Sequence, residues 1–120
     1  MVNYHIVMCP RYRRKIFLIE GLEDRFKELV NQICEHNDFV IIALECDVDH
    51  VHLFVNVPPT ISAADVVRIV KTNTSRVLIR EFFASNKTTQ LWTRSYFAST
   101  AGEVSSETIK RYVEMQKKRS

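Results

Sequence analysis

The stretch "DVDHVHLFVNVPP", Asp47 to Pro59, decides how this chain folds. From His50 to Val57 it alternates. Val51, Leu53, Val55 and Val57 make one apolar face, and His50, His52, Phe54 and Asn56 make the other. A period of two is the signature of a half-buried strand, because successive side chains point to opposite faces. Pro58-Pro59 stops the strand, since proline cannot donate to a ladder. Asp47-Val48-Asp49 supplies turn residues before it. The apolar, β-branched run Phe39–Cys46 just upstream reads as its hairpin partner.

The pattern extends outward in both directions. Val2–Cys9 reads as a first strand ended by Pro10. Leu18–His36 reads as an amphipathic helix, with Leu22, Phe26, Leu29, Val30 and Ile33 at helical spacing. Downstream, Ser62 with Asp65 three residues on predicts a capped helix start. That helix runs to about Phe83 on a stripe of Val66, Val70 and Val77, flanked by Val67 and Leu78. Arg68, Thr72 and Arg76 point broadly the other way. Leu91–Ser99 reads as a fourth strand, and a last helix starts at Ser105 or Ser106 and ends near Lys118.

The order is therefore β-α-β-β-α-β plus a C-terminal helix. It predicts an α+β, ferredoxin-like (RRM-like) split βαββαβ sandwich with a four-stranded antiparallel sheet. Two helices cover one sheet face, and the other stays open for function. The 120 residues form one domain, with a core over 1–100, a hinge over 100–104 and a terminal helix over 105–118.

Composition narrows the class. The chain is 46% hydrophobic and 26% charged, like ordinary globular proteins. No apolar run approaches the ~18–20 residues that span a bilayer. "MVNYHIVMCP" lacks the basic-then-apolar pattern of a secretory leader, so the expected location is the cytoplasm. Cys9, Cys34 and Cys46 form no CxxC pair and no zinc spacing, and read as reduced, buried thiols. The net charge of +3 is mild, but "RYRRK" (Arg11–Lys15) and "KKR" (Lys117–Arg119) concentrate it. Such runs suit a polyanion or simply a solvated face.

Two imidazoles two residues apart on a strand can chelate one divalent metal, or they can form a polar face open to solvent. In "ETIKRYVEMQKK" the last helix carries Tyr112 and Gln116 one turn apart, so both project from one side. A glutamine amide oxygen can complete a two-histidine site for Mg²⁺ or Mn²⁺. A tyrosine beside it can attack a polarised phosphate. The plainer reading packs Tyr112 with Ile109 and Val113 and leaves Gln116 on the surface.

Four segments, "NYHIVMCPRYRRK", "DVDHVHLFVNVPP", "LWTRSYFAST" and "ETIKRYVEMQ", together resemble the small single-tyrosine transposases of the insertion-sequence-200/605 type. These belong to the His-hydrophobe-His (HUH) endonucleases. The resemblance runs over nearly the whole chain, in order. It implies metal ligands at His50, His52 and Gln116 and a nucleophile at Tyr112, with Mg²⁺ or Mn²⁺ as cofactor. It implies cleavage and rejoining of single-stranded DNA through a 5′-phosphotyrosine, with recognition of DNA hairpins at element ends. It also implies a homodimer whose terminal helices complete each other's sites in trans, with no membrane involved. The link Thr100–Val104, with Gly102, is compatible with such a movable helix.

Candidates for DNA phosphates are Arg11, Arg13, Arg14, Lys15, Arg68, Lys71, Arg76 and Arg94. Trp92, Tyr96 and Phe97 are candidates for base stacking or for sheet core. Two other functions fit parts of this pattern. One is a domesticated HUH nuclease acting on chromosomal repeats. The other is a non-catalytic nucleic-acid-binding module, which would leave the Tyr112–Gln116 pair without a purpose.

Overall fold

In the computed structural model, which describes residues 1–86, 88–100 and 106–115, the expected order of elements is present. Strand β1 is Val2–Met8, helix α1 Leu22–His36, β2 Val40–Cys46, β3 Val51–Val57, α2 Ala63–Phe82, β4 Phe97–Ser99 and α3 Ser106–Met115. The sheet order is β2-β3-β1-β4, and every pairing is antiparallel. This is the split βαβ arrangement, with β3 and β1 at the centre.

The alternation in β3 sets the two faces. Val51, Leu53, Val55 and Val57 are buried, while His52, Phe54 and Asn56 are half-buried opposite them. Ile6 and Met8 of β1 join the buried face. It packs against Leu22, Phe26, Leu29 and Val30 of α1 and Val66, Val70 and Leu78 of α2. Removing this apolar surface from water is the main force holding the layers together. The start of α2 is fixed locally: Ser62 Oγ accepts from the Asp65 backbone N–H, and the Asp65 carboxylate accepts from the Ser62 N–H. Both halves of the expected capping box are in place.

Three boundaries differ from the sequence reading by more than a strand-end residue or in the placing of a site residue. Helix α1 begins at Leu22 rather than Leu18, because Gly21 takes a left-handed φ of 82° and Ile16–Leu18 form a separate 3₁₀ turn. His50 lies just before β3 rather than inside it. The fourth strand is only Phe97–Ser99. Trp92, placed earlier in the chain than that strand, makes an isolated bridge to Pro10. Its indole is buried against Phe17 and Phe26 and donates to Thr74 Oγ1 at 3.0 Å, so Trp92 belongs to the core.

Helix α3 covers part of the other sheet face. Val113 is buried with Val7 and Cys9 of the β1 segment, and Tyr112 and Phe97 pack at their margin. Within the single chain, the tyrosine-bearing helix thus sits on its own sheet. The expected hinge, apart from Thr100, and the expected last turn with Gln116 lie outside the described residues. No helix among the described residues is long and apolar enough to cross a membrane.

Candidate active site on the open sheet face

β3 and the residue before it bring His50 and His52 together, with ring centroids 5.0 Å apart and planes at 71°. Each ring is held through the same nitrogen. His50 Nδ1 lies 2.9 Å from Asp49 Oδ1, and His52 Nδ1 lies 3.2 Å from Nε2 of a third histidine, His5 on β1. The Nε2 atoms are then the ones left for a ligand. A neutral imidazole offers one donor and one acceptor nitrogen, so in the tautomer with the proton on Nδ1 the Nε2 lone pair is left for a ligand. The site has the donor chemistry a divalent metal requires. Burial, reinforced by His50 and His5 close by, holds the His52 pKa below its ordinary value, which favours the ligating neutral form.

Strand register explains the third histidine. His5 pairs across from Phe54, and Val7 pairs across from His52, so His5 sits diagonally beside His52. His5 is buried and stacks on Phe54 at 4.0 Å between centroids. Desolvation lowers its pKa as well.

Behind His50 stands an ion pair. Asp49 is buried, and its Oδ2 accepts from Arg13 Nε at 2.8 Å and contacts Nη2 at 2.7 Å. Although burial alone would raise the Asp49 pKa, the hydrogen bonds from His50 and Arg13 and their charge bring it below the usual carboxylate value. Arg13 Nη1 also reaches Glu114 Oε1 of α3 at 3.3 Å. Asp47 Oδ2 lies 3.9 Å from His50 Nε2, on the ligand side of that ring. Among the described residues, no three His, Cys, Asp or Glu side chains form a ready metal cage. A metal held by the two imidazoles would need a further donor, and the expected one, Gln116, lies outside the described residues.

Tyr112 is on the same sheet face, packed at the margin of Val7, Cys9 and Val113. The Phe97 ring neighbours both sides of this face, 6.3 Å from the His5 centroid and 6.1 Å from that of Tyr112. The Tyr112 hydroxyl sits 3.3 Å from Ser95 Oγ, and burial pushes its pKa up to about 12.

The eight candidate phosphate contacts separate. Arg14, Lys15, Arg68, Arg76 and Arg94 are exposed. Arg11, Tyr12 and Arg14 line an open cavity of about 210 Å³ with Thr88, Thr89 and Gln90. Arg11 Nε is buried and has no hydrogen-bond partner among the described residues. Two of the eight are engaged within the fold. Arg13 is turned inward onto Asp49. The Lys71 ammonium donates to the backbone carbonyls of Thr93 and Ser95, at 2.7 and 2.8 Å, rather than facing outward. It fastens the segment before β4.

Burial pushes the Lys71 pKa from 10.5 down to about 8. The unfolded chain then binds more protons than the folded one between those values. This residue's contribution to stability is accordingly expected to rise with pH from about 8 to 10.5 and to be lost as pH falls through 8. Denaturant midpoints measured across that window for the native chain and for Lys71→Met should show the rise in the difference between them. Parallel curves would contradict it. The thiols of Cys9, Cys34 and Cys46 are unpaired by disulfides, and burial raises their pKa values to about 12, 11 and 12. They are poor nucleophiles at neutral pH.

Sequence reasoning did not find His5, Asp49 or the inward role of Arg13. Asp49 looked like a turn residue, and its adjacency to His50 was the available signal. His5 had none without the strand register.

Comparison with known proteins agrees with the geometry. Residues 1–116 match the family model described as "Transposase IS200 like". The transposase for insertion sequence element IS200 of Salmonella typhimurium is 28% identical over 117 residues, covering 95% of this chain and 76% of its own. The ISDra2 transposase TnpA of Deinococcus radiodurans is 29% identical over 121 residues, covering 96% and 84%. A crystal structure of a candidate transposase from Deinococcus radiodurans R1 superposes with a TM-score of 0.84 at 27% identity, covering 96% of this chain and 90% of that one. A REP-associated tyrosine transposase bound to a REP hairpin shares the fold, with a TM-score of 0.63 at 12% identity over 94% and 62% of the two chains. The histidine pair stands at the start of β3 with a tyrosine-bearing helix over the same face, and the family match along almost the whole length gives the assignment: the chain belongs to the IS200-like transposase family.

Proposed function

We propose that this transposase cleaves and rejoins single-stranded DNA at the ends of a mobile element, with Tyr112 as nucleophile and His50, His52 and Gln116 as ligands for Mg²⁺ or Mn²⁺. The observation that carries this reading is the shared orientation of the two imidazoles. Both have Nδ1 engaged and Nε2 left over, on the sheet face where Tyr112's helix rests. When bound, the metal supplies Lewis acidity to the scissile phosphate and a template for in-line attack.

The chain's own residues do the rest. Tyr112 leaves Ser95, loses its proton and attacks phosphorus. The P–O3′ bond breaks, the 3′-oxygen takes a proton, and the 5′-phosphate stays on the tyrosine. Attack by a 3′-hydroxyl on that phosphotyrosine reverses the balance and restores the phenol. The number of phosphodiester-energy bonds is conserved, so no nucleotide cofactor is required. Exposed Arg14, Lys15 and Arg94, together with Arg11 in the open cavity, hold DNA phosphates. Hairpin recognition is supported by the family resemblance and by a fold on which the REP-associated neighbour holds its hairpin. Two copies act together, α3 of each completing the other's site. The modest packing of α3 on its own sheet, through Val113 and Tyr112, is compatible with that exchange.

The test is direct. The full chain is incubated with a single-stranded hairpin oligonucleotide from its element's end and Mn²⁺. A protein–DNA adduct that survives denaturation is expected, and EDTA should prevent it. Cleavage that yields only free DNA fragments, with no trapped adduct, would overturn the tyrosine mechanism.

A further inference from the structure

We infer that His5 and the Arg13–Asp49 pair are positioning residues, one support for each of the two histidines. The inference rests on the metal reading above, and both supports are built from groups that would otherwise be costly to keep. Asp49 is 5% exposed, and a buried carboxylate is destabilising unless charge and hydrogen bonds compensate it. Its two oxygens are divided: Oδ1 takes His50 Nδ1, and Oδ2 takes Arg13 through two nitrogens. The pairing with Arg13 fixes the carboxylate plane, and the carboxylate fixes the imidazole. Arg13 is delivered by strained backbone, with φ of 60° at Tyr12 and 51° at Arg13. Left-handed non-glycine residues are uncommon and costly, and they persist where the surroundings demand them.

His5 makes the same argument from the other side. It is 7% exposed in the middle of β1, where an apolar ring would pack equally well on Phe54. What an apolar ring would lack is the Nε2 acceptor, 3.2 Å from His52 Nδ1. With Asp49 and His5 both accepting from Nδ1–H, each metal-facing nitrogen is Nε2, and both rings are locked. Partners of this kind, behind the ligands, commonly change metal affinity by about 10–100-fold when removed. Arg13 has an additional reach to Glu114 on α3, so its support is tied to the helix that carries Tyr112. The support from His5 is not.

The experiment measures Mn²⁺ affinity of the full chain without DNA, by electron paramagnetic resonance of free Mn²⁺. His5→Phe keeps the stacked ring and removes the acceptor, and His5→Gln returns an acceptor. Asp49→Ala removes the second support, and Asp49→Asn keeps an oxygen there should the alanine variant fail to fold. We expect His5→Phe and Asp49→Ala to weaken Mn²⁺ by about 10–100-fold, with His5→Gln and Asp49→Asn recovering part of the loss. Folded His5→Phe and Asp49 variants with native affinity would overturn the inference.

A second readout needs no metal. Imidazole ¹⁵N spectra of the metal-free chain should show His50 and His52 protonated on Nδ1, with His5→Phe altering His52 alone. His52 protonated on Nε2 in the native chain would equally overturn it. Failure of the metal reading looks different: replacing both His50 and His52 by alanine would then leave Mn²⁺ affinity unchanged, while the nitrogen spectra still judge the supports.

Discussion

Replacing Tyr112 with phenylalanine is expected to abolish the covalent protein–DNA adduct while leaving a folded protein that binds hairpins. The substitution removes one oxygen. The ring's packing beside Val7, Cys9, Val113 and Phe97 is retained, and the bond to Ser95 Oγ is lost. A neutral hydrogen bond of that kind contributes about 0.5–1.5 kcal/mol, too little to unfold a domain. The chemical effect is far larger. Removal of an enzymatic nucleophile costs on the order of 10⁶-fold in turnover. At neutral pH the hydroxyl, with its pKa pushed up to about 12, is almost entirely protonated. Its activation is therefore part of the barrier that the site must lower. The check is a denaturing gel with labelled oligonucleotide, run beside thermal melts and hairpin binding of the same variant. An adduct that persists would assign the nucleophile elsewhere, because Tyr4, Tyr12 and Tyr96 remain in the variant.

Alanine at both His50 and His52 is expected to eliminate metal-dependent cleavage, by about 10³-fold or more, with hairpin binding largely unchanged. Loss of several kcal/mol of charge stabilisation at the phosphate gives that magnitude. The strand survives because its hold on the core comes from Val51, Leu53, Val55 and Val57, all on the opposite face. Asp49 keeps Arg13, so no charge is stranded. His5 loses an imidazole partner, a minor change next to its stacking on Phe54. Cleavage assays across Mn²⁺ concentrations, with mobility-shift titrations of the same hairpin, separate the two properties. If binding and cleavage fall together, the histidines contact DNA directly or hold the fold.

The fold was legible because its long elements are strongly patterned. The alternation at His50–Val57 and the helical stripe Leu22–Ile33 each have one physical interpretation, and the Ser62–Asp65 cap marks a boundary through hydrogen bonding that sequence spacing encodes. β4 was harder. In Leu91–Ser99 the apolar residues Leu91 and Trp92 are held by the core and by a single bridge to Pro10, not by a ladder. The closeness of the two histidines was also legible from their i, i+2 spacing, although His50 lies one residue before the strand. Their supports were not, because they depend on register between β1 and β3 and on a backbone reversal at Tyr12. The inward contacts of Lys71 were not legible for a related reason. Helical phase places a lysine on a side of α2, but only the later path of Thr93–Ser95 supplies carbonyls that draw it inward.

The left-handed pair at Tyr12 and Arg13 has a consequence for counterions. In sequence, "RYRRK" is one block of like charge. In the fold, Arg13 is neutralised by Asp49, while Arg14 and Lys15 on the same short segment stay exposed. Ions condensed on DNA are displaced only by cations that reach its phosphates, about 0.7 per contact for a single strand. The salt dependence of binding thus counts the outward cations alone. Adjacent arginines of identical chemistry would differ in it, Arg14 contributing to the slope and Arg13 being silent.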